Sequence, residues 1–225
     1  RQLLFLALLF LVQIGLLNQG VFHTTASRAS VTISAHPFFL ALFCHFFVPG
    51  DRLTPAKVAG ILLAFAGVVL IFAESLSLAG AGYLAGDLMI LGSAVLLGLR
   101  QTVMKRMVRG FHPYKVLFWQ SLLSLPMFAA ASVWLERDAA WDFTPEVVAA
   151  VLYQGVVVAG LCFISWVFLL RRHSASQLGV FAFTTPVAGV VLSALLVGEE
   201  LSWMLLVSMV LVAAGIAVAA RGPRA

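Results

Sequence analysis

Apolar residues fill most of this 225-residue chain in long runs, and polar residues gather in the short stretches between the runs. An α-helix needs roughly 20 apolar residues to cross the hydrocarbon core of a bilayer, and each run is close to that length. The runs do not alternate apolar with polar residues, which favours helices over the strands of a membrane barrel. They cover residues 2–22, 28–48, 56–73, 86–105, 113–134, 146–169, 175–197 and 201–220. We therefore predict an all-α integral membrane protein with about eight transmembrane helices in this chain.

The amino-acid composition supports the same structural class. Hydrophobic residues make up 62% of the chain and charged residues 10%, whereas a soluble domain carries about 25% charged residues. The net charge of +5 would suggest nucleic acid in a soluble protein, but in a membrane protein it reflects loop charges that set orientation. We therefore expect no nucleic-acid partner. Cys44 and Cys162 fall inside apolar runs without metal-ligand spacing, so the sequence predicts neither a disulfide framework nor a bound cofactor.

The charged residues predict how the helices are oriented. If the spans alternate sides and the chain starts in the cytoplasm, all basic residues except Arg28 and Arg137 fall on the cytoplasmic side. The same arrangement places every acidic residue except Asp51 on the outer side. Cytoplasmic loops of membrane proteins carry an excess of Lys and Arg. We therefore expect a bacterial-type inner-membrane location with both ends of this chain in the cytoplasm.

Two segments of the chain, 26–54 and 175–202, share an ordered set of residues that extends into the helix after each segment. The separation of matched residues is 149 positions and becomes 148 after a single deletion. The second span thus matches the seventh, and an odd number of helices between equivalent points places the two copies in opposite orientations. Inverted repeats of this kind are common in secondary transporters. The matched pairs are Ala26-Ser27 with Ala175-Ser176, Pro37 with Pro186, Gly50-Asp51 with Gly198-Glu199, and Ala66-Gly67 with Ala214-Gly215.

The repeat implies a unit of five helices, yet three spans precede the second unit. The chain also begins with Arg1 rather than with Met. We expect that two further N-terminal helices belong to the first unit. The alternative is a signal peptide over 2–17, which is disfavoured because the third span of the first unit should occupy that position.

With these features the chain resembles the drug/metabolite transporter superfamily, specifically its EamA type. The resemblance rests on the Ala-Ser…Pro…Gly-Glu-x-Leu-Ser block at 175–202 and on its copy at 26–54. The Gly86-Asp87 start of the second unit, followed by the basic segment KRMVR at 105–109, also matches. One departure from the family pattern is Asp51, which stands where Glu is usual.

The resemblance implies a ten-helix fold made of two inverted repeats of five helices each. A partial first repeat would cover residues 1–75, and a second repeat would cover 84–221. It also implies a secondary transporter that exports small metabolites or drugs by alternating access between the two repeats. A channel-like protein or a non-transporting membrane scaffold is the alternative.

The matched prolines and their neighbours are the first candidates for a substrate cavity. Pro37 and Pro186 lack an N–H, so each is expected to kink its helix. Such a kink either exposes backbone carbonyls to a cavity or is a static bend that neighbouring helices satisfy. His36 is an ionisable group at membrane depth that titrates near neutral pH, so we expect it to line the cavity and to be a candidate for proton coupling. The matching residue of the second unit, Thr185, is polar but does not ionise.

Polar and aromatic side chains inside the other spans are further candidates for substrate contact. They would suit a zwitterionic or aromatic metabolite, but they serve equally well as interhelical hydrogen bonds or interfacial anchors. Arg28 and Arg100, near the ends of their spans, could attract an anion, although snorkelling of both toward the headgroups is favoured. These further candidates are Asn18, Gln120, Gln154 and Trp166.

Small residues on the third span predict a close contact between helices. Gly60, Ala64 and Gly67 follow the spacing i, i+4, i+7, which places them on one face. A face without large side chains lets another helix approach closely.

Known catalytic motifs are missing from the sequence. It contains no H-E-x-x-H metal helix, no G-x-S-x-G nucleophile elbow and no nucleotide-binding loop. We therefore expect a transporter rather than an enzyme, without a catalytic or metal site, whose partners are a small-molecule substrate and the lipid bilayer. The substrate, the coupling ion, the direction of transport and the oligomeric state stay open at this point.

Overall fold

The computed structural model describes residues 2–48, 54–75, 81–108, 110–135, 143–162, 165 and 184–220. Within these ranges every regular element is helical and no strand occurs. Helix α7 continues in wider π-helical turns over Tyr153–Cys162, α8 does so over Ser193–Val197, and a 3-10 turn at Ala81–Tyr83 precedes α5. The helices are α1 (Gln2–Phe22), α2 (Ala26–Ile33), α3 (His36–Phe47), α4 (Pro55–Ser75), α5 (Leu84–Met107), α6 (Pro113–Leu135), α7 (Pro145–Leu152), α8 (Thr184–Leu192) and α9 (Trp203–Ala220).

Six helical segments among the described residues are long and apolar enough to cross a membrane. Two shorter apolar helices, Thr184–Val197 and Trp203–Ala219, correspond to the seventh and eighth predicted spans. The prediction of an all-α membrane protein is thereby confirmed.

The second predicted span is interrupted near its middle. Helix α2 ends at Ile33, and α3 begins at His36 with Pro37 in its first turn. A proline removes the N–H that would bond the carbonyl four residues earlier, and its ring clashes with that carbonyl. The kink expected at Pro37 is therefore a break between two helices.

The helices place acidic and basic residues at opposite ends of the bundle. The start of α5, with Asp87, and the turn before α9, with Glu199, lie at one end, which we name the acidic end. The end of α5, with Lys105, and the start of α6, with Lys115, lie at the other end, which we name the basic end.

Helices α4 and α9 form the most extensive pair of the fold. A Cβ added to Gly60 would overlap the carbonyl oxygen of Gly215, and one added to Gly67 would lie 2.8 Å from that of Ser208. The small-residue face predicted for this span is therefore a close helix contact, as expected. The buried core around this pair contains Val31, Ala35, Phe38, Ala64, Val68, Ile71, Val190, Leu205, Val212 and Ile216.

Helix α5 lies against α1 and α3 in the other part of the bundle. A Cβ added to Gly86 would lie 2.6 Å from the carbonyl oxygen of His23, and one added to Gly98 would lie 2.7 Å from the amide nitrogen of Leu40. These glycines let the backbones of the two halves of the chain touch along α5.

Candidate functional site

His36 occupies the break between α2 and α3, where its ring contacts the backbone. Its Nδ1 lies 3.1 Å from the carbonyl oxygen of Ile33. Ile33 is the residue four positions before Pro37, so its carbonyl is the one that the proline leaves without a helical donor. Because a carbonyl oxygen only accepts, the contact requires the proton on Nδ1. His36 therefore supplies the hydrogen bond that Pro37 removes.

Thr185 and Pro186 lie in the first turn of α8, next to α2 of the other half of the chain. The hydroxyl of Ser30 donates to the carbonyl oxygen of Thr185 at 3.4 Å. A Cβ at Gly189 would overlap the same hydroxyl oxygen, so only glycine fits there. Pro186 is buried, whereas the side chain of Thr185 is exposed. The structure thus brings the first turn of α8, with the second proline, against Ser30 of α2, six residues before His36.

The other predicted cavity residues that the structure describes have different environments. The side chains of Asn18 on α1 and Gln154 in the π-helical turns after α7 are exposed. Gln120 on α6 is buried, and its Oε1 has no hydrogen-bond partner. Trp166 lies outside the described residues.

Glu199 joins the turn before α9 to the first turn of α2. Its carboxylate accepts hydrogen bonds from the N–H groups of Ala26 (2.7 Å) and Ser27 (3.1 Å), from the Ser27 hydroxyl, and from the Ser193 hydroxyl at 2.5 Å. Gly198, with φ of 71°, makes the left-handed turn that brings Glu199 to this position. The first N–H groups of a helix have no partner inside the helix, and they attract negative charge. We name this set of contacts the Glu199 clamp.

The hydrogen bonds of the Glu199 clamp outweigh the effect of burial on the carboxyl group. Burial alone would raise the pKa of Glu199. The Ser193 hydroxyl and the hydroxyl and N–H groups of Ser27, with the N–H of Ala26, lower its pKa from the ordinary 4.5 to about 2. Glu199 is therefore ionised at neutral pH.

A second junction at the acidic end is the ion pair between Arg28 on α2 and Asp87 on α5. Nη2 of Arg28 lies 2.7 Å from Oδ2 of Asp87, and both side chains are almost fully buried. Arg28 also donates to the carbonyl oxygen of Ile71 at 2.8 Å, and the Thr24 hydroxyl donates to Asp87 at 2.7 Å. The expectation that Arg28 snorkels to the headgroups is wrong, because a buried carboxylate and a carbonyl lie within its reach.

Arg100 on α5 is also buried rather than snorkelling. Its guanidinium lies over the ring of Phe10, 4.6 Å from the ring centroid, and its side chain is 8% exposed. Its Nε has no hydrogen-bond partner. Nearby in α1, Gln13 exchanges two hydrogen bonds with Ser93 of α5, at 3.0 Å and 2.9 Å. The snorkelling expectation is therefore wrong for Arg100 as well, because its guanidinium packs on the ring of Phe10 in α1.

Two clefts open at the basic end, between α1 and the helices α5 and α6. One has a volume of about 430 Å³ and is lined by Gln2, Met107 and Trp119 among others. The adjacent one measures about 380 Å³ and reaches Phe5 and Val103. The bundle is thus tied together at the acidic end and indented at the basic end.

Sequence reasoning missed the Glu199 clamp, although a signal for it was present. Ala-Ser before the proline helix and Gly-acid after it recur together in both segments of the chain. A carboxylate that follows one copy and small polar residues that begin the other copy are suited to meet at a helix N-terminus.

The comparisons with known proteins agree on one family. The EamA-like transporter family matches residues 1–73 and 84–221. The transporter YoaV of Bacillus subtilis, whose function is uncharacterised, is 21% identical over 90% of this chain and 69% of its own length. The aromatic amino acid exporter YddG of Ancylobacter novellus is 28% identical over 86% of this chain and 66% of its own length. A solved crystal structure with 24% identity has the same fold, with a TM-score of 0.66 over 93% of this chain and 72% of that chain.

Proposed function

The chain belongs to the EamA-like transporter family, and from this premise we propose that it exports amino acids or closely related metabolites by alternating access. It is a multi-pass membrane transporter and not an enzyme. One observation carries the proposal best: contacts between the two parts of the chain close the acidic end, while clefts between the same parts open at the basic end. A relative named as an aromatic amino acid exporter supports the substrate class.

The contact between α4 and α9 supports two inverted repeats, over residues 1–75 and 84–221. Adding the repeat offset of 148 to Gly60 and Gly67 gives Ser208 and Gly215. Gly60 faces Gly215, and Gly67 faces Ser208. If every residue is replaced by its match in the other repeat, the Gly60–Gly215 contact becomes the Ser208–Gly67 contact. This relationship is expected for two units related by a pseudo-two-fold axis.

The two ends of the bundle have different roles in the proposed cycle. Substrate enters the clefts at the basic end while the Glu199 clamp and the Arg28–Asp87 pair close the acidic end. The repeats then rock about α4 and α9, and the contacts of the Glu199 clamp separate to release substrate. On the positive-inside rule, we assign the basic end, and both ends of this chain, to the cytoplasmic side of a bacterial-type inner membrane.

The predicted cavity residues fit this cycle at one place. Thr185 and Pro186 on one repeat lie against Ser30 of α2, the helix that ends just before His36 and Pro37 on the other repeat. We assign this break to the transport path. For His36 to couple transport to protons, its imidazole ring must gain and lose a proton. The same ring also donates a hydrogen bond to the carbonyl oxygen of Ile33.

Counterflow in proteoliposomes tests the proposed function. The purified protein is reconstituted with unlabelled amino acids inside, and uptake of each labelled amino acid is followed. A carrier gives saturable uptake that is accelerated by the same amino acid inside. Uptake that rises linearly with concentration would assign a channel, and the absence of uptake for the whole amino-acid set would contradict the proposed substrate class.

A further inference from the structure

Arg100 is a buried cation without a counterion among the described residues. It is 8% exposed, its Nε lacks a hydrogen-bond partner, and no carboxylate of the described chain pairs with it. Charged side chains at membrane depth are costly, and they persist where they bind or move something. Arg28, at a comparable degree of burial, shows the contrasting case, because Asp87 neutralises it.

The wall of the basic-end clefts includes the face of α5 on which Arg100 lies. Val103 and Met107, at i+3 and i+7 from Arg100, both line the clefts. Residues at this spacing lie on the same side of a helix. Arg100 therefore lies on the cleft-facing side of α5, less than one helical turn beyond Val103.

The surroundings of Arg100 leave the Nε–H of the guanidinium without a hydrogen-bond partner. Phe10 covers a face of the planar group at 4.6 Å from the ring centroid. A face-on aromatic contact stabilises the cation without occupying its in-plane N–H donors. The unpartnered Nε–H belongs to the edge that can offer two parallel hydrogen bonds.

Gln120 supplies a second unpartnered polar group at the same depth. Arg100 lies seven residues before the end of α5 at Met107, and Gln120 lies seven residues after the start of α6 at Pro113. Helix α1 packs against both helices. The buried Oε1 of Gln120 accepts no hydrogen bond, so it is available to a donor such as an ammonium group.

We propose that Arg100 binds the carboxylate of the transported metabolite through a two-point contact. This inference rests on the proposed function and narrows it to substrates that carry a carboxylate. A guanidinium matches the geometry of a carboxylate, whereas a lysine would offer only a point charge.

Ligand-dependent thermal shifts of the purified protein test the assignment. Each amino acid is compared with its carboxamide, which keeps the side chain and amino group but lacks the carboxylate. We expect at least one amino acid to raise the Tm, its amide to leave the Tm unchanged, and Arg100→Gln to weaken binding by roughly 10- to 100-fold. Arg100→Lys should bind with intermediate affinity, and Lys57→Gln, a loss of charge outside the clefts, should bind like the wild type.

The possible outcomes separate this inference from the proposed function. If an amino acid binds Arg100→Gln as tightly as it binds the wild type, the carboxylate site is elsewhere and the export proposal stands. If no amino acid shifts the Tm of the wild type, both proposals fail. If only phosphatidylglycerol stabilises the wild type, and Arg100→Gln removes that effect, the anion is a lipid phosphate and the inference is overturned.

Discussion

Glu199 accepts hydrogen bonds from both the backbone N–H and the hydroxyl of Ser27, although the two residues are 172 positions apart. Ser27 begins a helix of the first part of the chain, and Glu199 precedes the last helix of the second part. The contact therefore couples the two parts of the chain at the acidic end. It is the contact that the proposed cycle must make and break.

Removing the clamp carboxylate should lower stability in a way that depends on Ser27. We expect Glu199→Gln to lower the free energy of unfolding by about 1–2 kcal/mol, because charge-assisted hydrogen bonds at the helix N-terminus are lost. Ser27→Ala should be destabilising as well, and the double variant should lose less than the sum of the two. Chemical denaturation in detergent measures these differences. Glu200→Gln, at the neighbouring exposed position, is the control. If the losses of Glu199→Gln and Ser27→Ala add in the double variant, the two residues are not coupled and the clamp is contradicted.

The pH dependence of stability should report Glu199. Its pKa in the folded protein is about 2, below the ordinary 4.5. A depressed pKa means that the ionised carboxylate stabilises the fold above pH 4.5, and that this contribution is lost as the pH falls toward 2. The Tm of the wild type should therefore fall more steeply over this interval than the Tm of Glu199→Gln. Parallel curves for the two proteins would show that Glu199 does not titrate as the structure indicates.

A residue that can donate a hydrogen bond to the carbonyl oxygen of Ile33 should be able to replace His36. In His36→Ala the carbonyl of Ile33 loses its partner inside the bundle, so we expect a loss of about 1–2 kcal/mol. The amide nitrogen of Asn can take the place of Nδ1, so His36→Asn should retain most of the stability. Pro37→Ala restores an N–H for Ile33, and it should reduce the effect of His36→Ala when the two are combined. Thermal unfolding of these variants in one detergent gives the comparison.

The same variants distinguish a structural role of His36 from proton coupling. If His36 carries the coupled proton, His36→Asn should fold normally but lose the acceleration of transport by a pH gradient. Counterflow with and without the gradient measures this. Unchanged acceleration in His36→Asn would leave His36 with the structural role alone.

The buried ion pair at the acidic end should tolerate loss of both charges better than loss of one. Arg28→Met or Asp87→Asn leaves a buried charge without its counterion, and each should cost about 3–5 kcal/mol. The double variant Arg28→Met with Asp87→Leu removes both charges and should recover part of that loss. The fraction of protein that elutes as a single species in size-exclusion chromatography gives the comparison. A double variant worse than either single variant would contradict this description of the pair.

The contact between α4 and α9 should be sensitive to a single methyl group. Gly60→Ala places a Cβ against the backbone of α9, so we expect a loss of about 1–3 kcal/mol from overpacking. A Cβ at Gly15 on α1 would have nothing within 4 Å, so Gly15→Ala should be neutral or slightly stabilising. Thermal unfolding of the two variants in the same detergent makes the comparison, and equal Tm values would contradict the close packing.

The helices and their order could be predicted because apolar length is a local property. The sequence also predicted that Pro37 disturbs its helix. It indicated a kink, whereas the structure has a break between two helices. The partners of polar residues could not be predicted in this way, because they depend on which faces of distant helices meet. Arg28 and Arg100 look alike in sequence as cations near the ends of spans, yet one finds Asp87 and the other finds Phe10.

The same limit explains the mixed outcome for the candidate site. Depth in the membrane can be counted along a helix, and the repeat offset matches His36 with Thr185. The direction in which a side chain points around the helix depends on packing, and Asn18 and Gln154 face outward for this reason. To predict the Glu199 clamp, one would need both the depth of each residue and the direction of its side chain, because its partners come from opposite ends of the chain.

A reversible cross-link at the acidic end tests whether that end opens during transport. Ser27→Cys and Glu199→Cys would be combined in a background in which Cys44 and Cys162 are replaced, and counterflow would be measured after oxidation and again after reduction. We predict that the oxidised protein does not transport and that reduction restores transport, because the acidic end must open in every cycle. Transport by the fully cross-linked protein at the rate of the reduced protein would contradict it.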